Sequence, residues 1–70
     1  MEIVSNFESS NIQKIGYDEG QSTLQIWFLN GTAYQYFEVP SGVWEAFKTA
    51  ESKGKFLQSS IRGKFRYTKV

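Results

Sequence analysis

The chain's capacity for chemistry is concentrated at one end. Residues 53–70 hold Lys53, Lys55, Arg62, Lys64, Arg66 and Lys69 and no acid, a net of +6. Residues 1–52 hold two bases, Lys14 and Lys48, against seven acids, a net of −5, so the whole comes to +1. Such an asymmetry points to an anion-binding end. Ser52-Lys53-Gly54-Lys55 reads as the opening of a helix, where free N–H groups and the positive dipole end favour an anion. Lys55 and Arg62, seven apart, would share one helical face, and Lys64 and Arg66 would carry the positive line onward. Trp27, Tyr34, Tyr36 and Tyr67 supply flat rings that can stack on bases, worth about 1–3 kcal/mol per base. The candidate ligand-binding set is therefore Lys53, Lys55, Arg62, Lys64, Arg66, Tyr67, Tyr34, Tyr36 and Trp27. The plainer readings are a solvated basic face, two halves that attract each other, and rings packed under a helix or across an interface.

Other chemistry is thinly supplied. The chain has no Cys and no His. Thiolate and imidazole metal sites, a Cys nucleophile and His acid–base schemes are therefore excluded. Asp18, Glu19, Glu38, Glu45 and Glu51 show no paired spacing with a nucleophile, and no motif sets a base beside any serine. Gly54-Lys55 lacks the spacing and the following Ser/Thr of a P-loop. The expectation is a binding protein, not an enzyme, with no cofactor and no metal.

At 70 residues, a single domain buries only about 60% of the surface that its unfolded chain exposes. Disulfides are excluded and metal ligands are few, so a homo-oligomer is expected. No stretch approaches the ~18 apolar residues of a membrane span. The opening Met1-Glu2-Ile3-Val4-Ser5 lacks the basic-then-apolar order of a signal peptide. The expectation is a cytoplasmic protein with no membrane partner.

Three strands must position the rings. Ile12–Asp18 ends in a Glu19-Gly20 turn. Ser22–Leu29 alternates Leu24, Ile26 and Phe28 against Thr23, Gln25 and Trp27. Asn30-Gly31 is a strong hairpin signal, and Thr32–Val39 returns until Pro40 stops the ladder. A two-residue loop would pair Phe28 with Ala33, Trp27 with Tyr34 and Leu24 with Phe37. That register puts Leu24, Ile26, Phe28, Ala33 and Phe37 on a core face, and Trp27, Tyr34 and Tyr36 together on the other; a bulge would swap part of the assignment. After Pro40, Val43, Ala46, Phe47 and Ala50 follow helical spacing, with Ser41 as N-cap. A second short helix capped by Ser52 would turn Phe56, Leu57, Ser60 and Ile61 to the sheet and stop at Gly63. The fold class is α+β: a three-stranded antiparallel β-meander, two short helices on one face, and a C-terminal extended segment. Residues 1–11 read as an N-terminal arm, either frayed or an edge element, and 12–70 as the single domain.

The ordered set Ile12-x-x-Ile15-Gly16-Tyr17-Asp18, Leu24-x-Ile26-x-Phe28, Gly31-x-x-Tyr34-x-Tyr36-x-x-Val39-Pro40, Ala50-x-Ser52-x-Gly54-x-Phe56 and Ile61-Arg62 resembles the KTSC domain across residues 9–67. Phe56-Leu57-Gln58 departs from the family's more usual aromatic-aromatic-Asn stretch. The resemblance implies a domain found at the C-terminus of some lysyl-tRNA synthetases and as small free-standing proteins of bacteria and phages, with RNA binding suggested for it. Three functions stay open. The first is capture of small nucleotides, such as cyclic oligonucleotide signals, for which a phage sponge against host immune signalling is one setting. The second is an RNA- or nucleic-acid-binding module, and the third is a protein-interaction module. Charge orders the first two. A body of net −5 repels a long phosphate backbone, whereas two or three phosphates need only two or three of the cations, and a chain without a second domain has nothing to deliver RNA to. Small-nucleotide capture is expected first.

Overall fold

The alternation of apolar residues and the positions of the turn residues account for the centre of the sheet. The computed structural model describes residues 1–70. Its strands are β1 (Glu2–Val4), β2 (Ile12–Asp18), β3 (Thr23–Phe28), β4 (Ala33–Tyr36) and β5 (Tyr67–Lys69). Helix α1 (Ser41–Thr49) and helix α2 (Lys53–Phe56) lie between β4 and β5, and a π-helical turn, Leu57–Ile61, prolongs α2. The strands form one antiparallel sheet in the order β1-β2-β3-β4-β5. The α+β class holds, but the sheet has five strands, not three. The outer two are three residues each, too short for a period-2 pattern to register. Part of the expected N-terminal arm is thus the edge strand β1, and part of the C-terminal segment is β5.

The hairpin departs from the expected register by one residue. The amide of Gly31 donates to the Phe28 carbonyl at 3.1 Å and that of Phe28 to the Thr32 carbonyl at 2.8 Å. The loop is therefore Leu29-Asn30-Gly31, a three-residue turn whose last member has φ +90, the arrangement that closes on a bulge. The Asn30 side-chain oxygen accepts from the Thr32 amide at 3.0 Å and from its hydroxyl at 2.7 Å. Leu24 now stands opposite Tyr36, Ile26 opposite Tyr34, and Trp27 opposite Ala33. A one-residue slip sends every side chain of a strand to the other face. Tyr34 and Tyr36 join Leu24, Ile26 and Phe28 under the helices, and Trp27 alone stays on the open face. The ladder also ends at Tyr36 instead of running to Val39. Glu38 takes φ 57, and the Phe37 amide turns to the Arg66 carbonyl at 2.9 Å.

The core lies between the sheet and the helices: Ile12, Ile15, Tyr17, Leu24, Ile26 and Tyr36 from the strands, Val39 before α1, and Trp44, Phe47, Leu57 and Ile61 from above. Helix α1 is rolled from its expected face. Trp44 and Phe47 are buried, Val43 and Ala50 half-buried, and Ala46 exposed. The indole decides this, because the largest apolar side chain gains most from burial. It stacks on Tyr17 with ring centroids 5.5 Å apart, and its N–H donates to Glu2 at 2.9 Å. Lys48 donates to the other Glu2 oxygen at 3.0 Å, so one carboxylate ties β1 to α1. The N-cap is Pro40, with no side-chain hydrogen bond, and Ser41 is the first helical residue. Ser52 does cap α2, accepting from the Lys55 amide at 3.2 Å, and Gly63 follows the π turn at φ +79.

Candidate nucleotide pocket

The register of β3 and β4 and the π turn together enclose a half-open pocket of about 470 Å³. Its floor is aromatic: Phe28 from β3, Tyr34 and Tyr36 from β4, and Tyr67 from β5. Phe28 and Tyr34 meet edge to face at 5.8 Å, Tyr34 and Tyr67 likewise at 5.9 Å, and Tyr36 lies 5.5 Å from Tyr67 at a tilt of 33°. Tyr36 is buried, and Tyr67 is 60% exposed. The rings thus form a floor that is rigid at one side and accessible at the other. Burial pushes the Tyr36 phenol above its ordinary value of 10.0, and the positive charge of Arg62 opposes that shift.

The opposite wall comes from the π turn and its exit, through Leu57, Gln58, Arg62 and Gly63. The Arg62 amide closes the turn on the Leu57 carbonyl, five residues back, at 2.9 Å. The wide turn inserts one residue relative to an α-helix, as π turns near functional sites often do. Arg62 leaves it in extended conformation, φ −65 and ψ 130, and has no carboxylate partner. Asn11, Asn30 and Thr32 complete the rim. Asn30 is already engaged with Thr32, and the Asn11 oxygen accepts from the Ser9 hydroxyl at 3.1 Å. Tyrosine and arginine are the pocket's only ionisable side chains. It offers stacking surface, amides and one fixed positive charge, but no carboxylate or imidazole to move a proton near neutral pH.

The KTSC domain model matches residues 8–65. The crystal structure of a KTSC domain protein from Yersinia pestis superposes with a TM-score of 0.86, at 38% identity and covering 99% of each chain. This chain belongs to the KTSC domain family.

Similar segments occur in proteins of very different length. A protein of Tsukamurella paurometabola is 39% identical over 59 residues, which are 84% of this chain and 88% of that one. The lysine–tRNA ligase of Nostoc punctiforme is 38% identical over 63 residues, 90% of this chain but 11% of the ligase. The chain thus spans about a tenth of the ligase it matches.

Of the nine residues expected at a ligand site, this KTSC domain brings four into the pocket: Tyr34, Tyr36, Arg62 and Tyr67. Trp27 lies on the far face, across Gly16, where a Cβ would come within 3.0 Å of its ring, and Lys14 sits 4.7 Å over it. Lys53 is buried instead of facing an anion. Its ammonium donates to the Lys48 and Ala50 carbonyls at 3.1 and 2.7 Å and lies 5.3 Å from the Phe7 ring centre, so it caps α1. Arg66 pairs with Glu38 at 3.4 Å and covers Phe37. Lys55 and Lys64 are exposed outside the lining. The π turn breaks the seven-residue spacing that would have aligned Lys55 with Arg62. Phe28, expected only as core, turns out to line the pocket. Gln58 was legible only as a departure from the family stretch, Asn30 only as a turn residue, and the rim residues Asn11 and Thr32 carried no sequence signal of their own.

Proposed function

We propose that this KTSC domain binds nucleotides in the tyrosine-lined pocket and releases them chemically unaltered, acting as a capture protein for small nucleotides, cyclic ones included. One observation carries the proposal: Arg62 and three tyrosine rings share a single pocket. Arginine recognises phosphate through a planar fork of donors, and flat rings hold bases by stacking. The volume falls in the ~300–1,000 Å³ range of small-molecule sites. The scarcity of proton-transfer groups in the lining supports binding without turnover. No helix is long and apolar enough to cross a membrane. A homo-oligomer, expected from the chain's size, belongs to this proposal, and light scattering reads it directly.

A second reading, binding of single-stranded RNA, draws on the lysine–tRNA ligases that contain a similar segment. The accessible Tyr67 side of the pocket is where a strand would enter. Calorimetry separates the two. Titration with a panel of mononucleotides and cyclic di- and trinucleotides should show saturable heat that is lost in Tyr67→Ala. Heat only with single-stranded RNA, its affinity falling steeply with salt, would favour the second reading. Silence from every nucleotide and RNA would remove both.

A further inference from the structure

Resting on the nucleotide reading, we infer that the pocket accepts one nucleotide unit at a time, one base and one phosphate, with Arg62 as the sole phosphate anchor. The cations that reach the pocket lead there. The basic end holds six, but the fold disperses them. Lys53 is spent on the carbonyls that end α1, and Arg66 is held by Glu38 and Phe37. Lys55, Lys64 and Lys69 stand outside the lining. Only Arg62 brings charge into the pocket, and no carboxylate competes for it.

The rings set the same limit. Tyr34 meets Tyr67 edge to face and Tyr36 meets it at a tilt, so the three form one cupped floor, not a row of platforms for successive bases. The preferred occupant is a free mononucleotide, whose phosphate has the terminal oxygens that a guanidinium fork grips in pairs.

The test is calorimetric titration of the intact chain with the four 5′-mononucleotides, the matching nucleosides and a linear dinucleotide, each over a salt series. One charge-assisted contact predicts that a mononucleotide binds about 10–100-fold tighter than its nucleoside. In Arg62→Ala that difference should vanish while the nucleoside affinity is retained. Affinity for the mononucleotide should fall only shallowly with salt, because one ion pair is screened and no condensed counterions are released, and Lys64→Ala should leave that dependence unchanged. Tighter dinucleotide binding with a steeper salt dependence, reduced in Lys64→Ala, would overturn the inference and leave the nucleotide reading standing. So would an Arg62→Ala protein that still prefers the phosphorylated form. Binding by neither nucleosides nor nucleotides would remove both. Arg62 is exposed at the end of the π turn, so its truncation should leave the fold intact, and the far-ultraviolet spectrum confirms this on the same sample.

Discussion

Leu24 stands directly opposite Tyr36 in the sheet, not opposite Phe37. That pairing decides which rings the pocket receives. It depends on a three-residue loop ending at Gly31, whose φ of +90 lies where L side chains rarely go. A Cβ there would meet nothing within 4 Å, so the whole penalty of Gly31→Ala is backbone strain. The expected loss is about 1–2 kcal/mol, read as a lower urea midpoint at unchanged slope. An unchanged midpoint would show that the loop closes in another way.

The Tyr17 hydroxyl donates to the Val39 carbonyl at 2.6 Å, inside the core. This bond ties the centre of the sheet to the residue before Pro40 and so sets where α1 begins. Tyr17→Phe keeps the ring and its stack on Trp44 but leaves a buried acceptor unpaired, so about 1–3 kcal/mol should be lost. A stability equal to that of the parent would mean that the carbonyl finds another donor.

Lys53→Met separates structure from binding. The substitution keeps the apolar stem but deletes the ammonium that holds the Lys48 and Ala50 carbonyls. Stability should fall by about 1.5–3 kcal/mol, while nucleotide affinity measured on the folded fraction stays the same. A selective fall in affinity would return Lys53 to the binding site.

Glu2 and Lys48 give the fold a pH dependence at each extreme. Hydrogen bonds from Trp44 and then Lys48 hold the Glu2 carboxyl below its ordinary value of 4.5. Between the lowered value and 4.5 the unfolded chain binds more protons, so the stabilisation is complete above 4.5 and drains away as pH falls through the folded value. Hydrogen bonds to Glu2 and Glu45 raise Lys48 above 10.5. That contribution is complete below 10.5 and is lost as pH rises through the folded value. Thermal melts of Glu2→Gln against pH should show a flatter acid limb than the parent. Parallel acid limbs would assign the dependence to other carboxylates.

The π turn holds one residue more than the α-helical turn that could replace it. Deleting Ser59, an exposed residue, would let that α-helical turn form. Leu57 and Ile61 would then be three apart, still on one face, so the core contact survives. Arg62 would stand four residues after Leu57, where its amide still reaches the Leu57 carbonyl, and at about 100° per residue it leaves the helix in nearly the same direction. Nucleotide affinity should therefore be retained with the far-ultraviolet spectrum preserved. A fall to the affinity of Arg62→Ala would mean that the wider turn itself shapes the pocket.

Much of this was legible in the sequence because local chemistry carried it. Leu24, Ile26 and Phe28 alternate, so β3 and its buried face were readable. Asn30-Gly31 announced a hairpin, Ser52 a helix start and Gly63 a stop, each by its own backbone or side-chain preference. Arg62, Tyr34, Tyr36 and Tyr67 could be singled out because residue type alone suggests what an arginine or a phenol ring does to a nucleotide.

What local preference left open, long-range packing settled. Asn-Gly suits loops of two or three residues alike, and the choice between them reverses a strand's faces. It was made by burial of Tyr36 beside Leu24, with Trp27 left outside. The six cations looked equivalent because charge is a property of the residue. Their availability depends on neighbours distant in the chain: Glu38 for Arg66, the end of α1 for Lys53, and open solvent beside three tyrosines for Arg62. The sequence therefore determined the secondary-structure vocabulary and the stock of binding groups. The tertiary structure alone decided which of those groups meet, since a pocket forms only where separate segments close over one another.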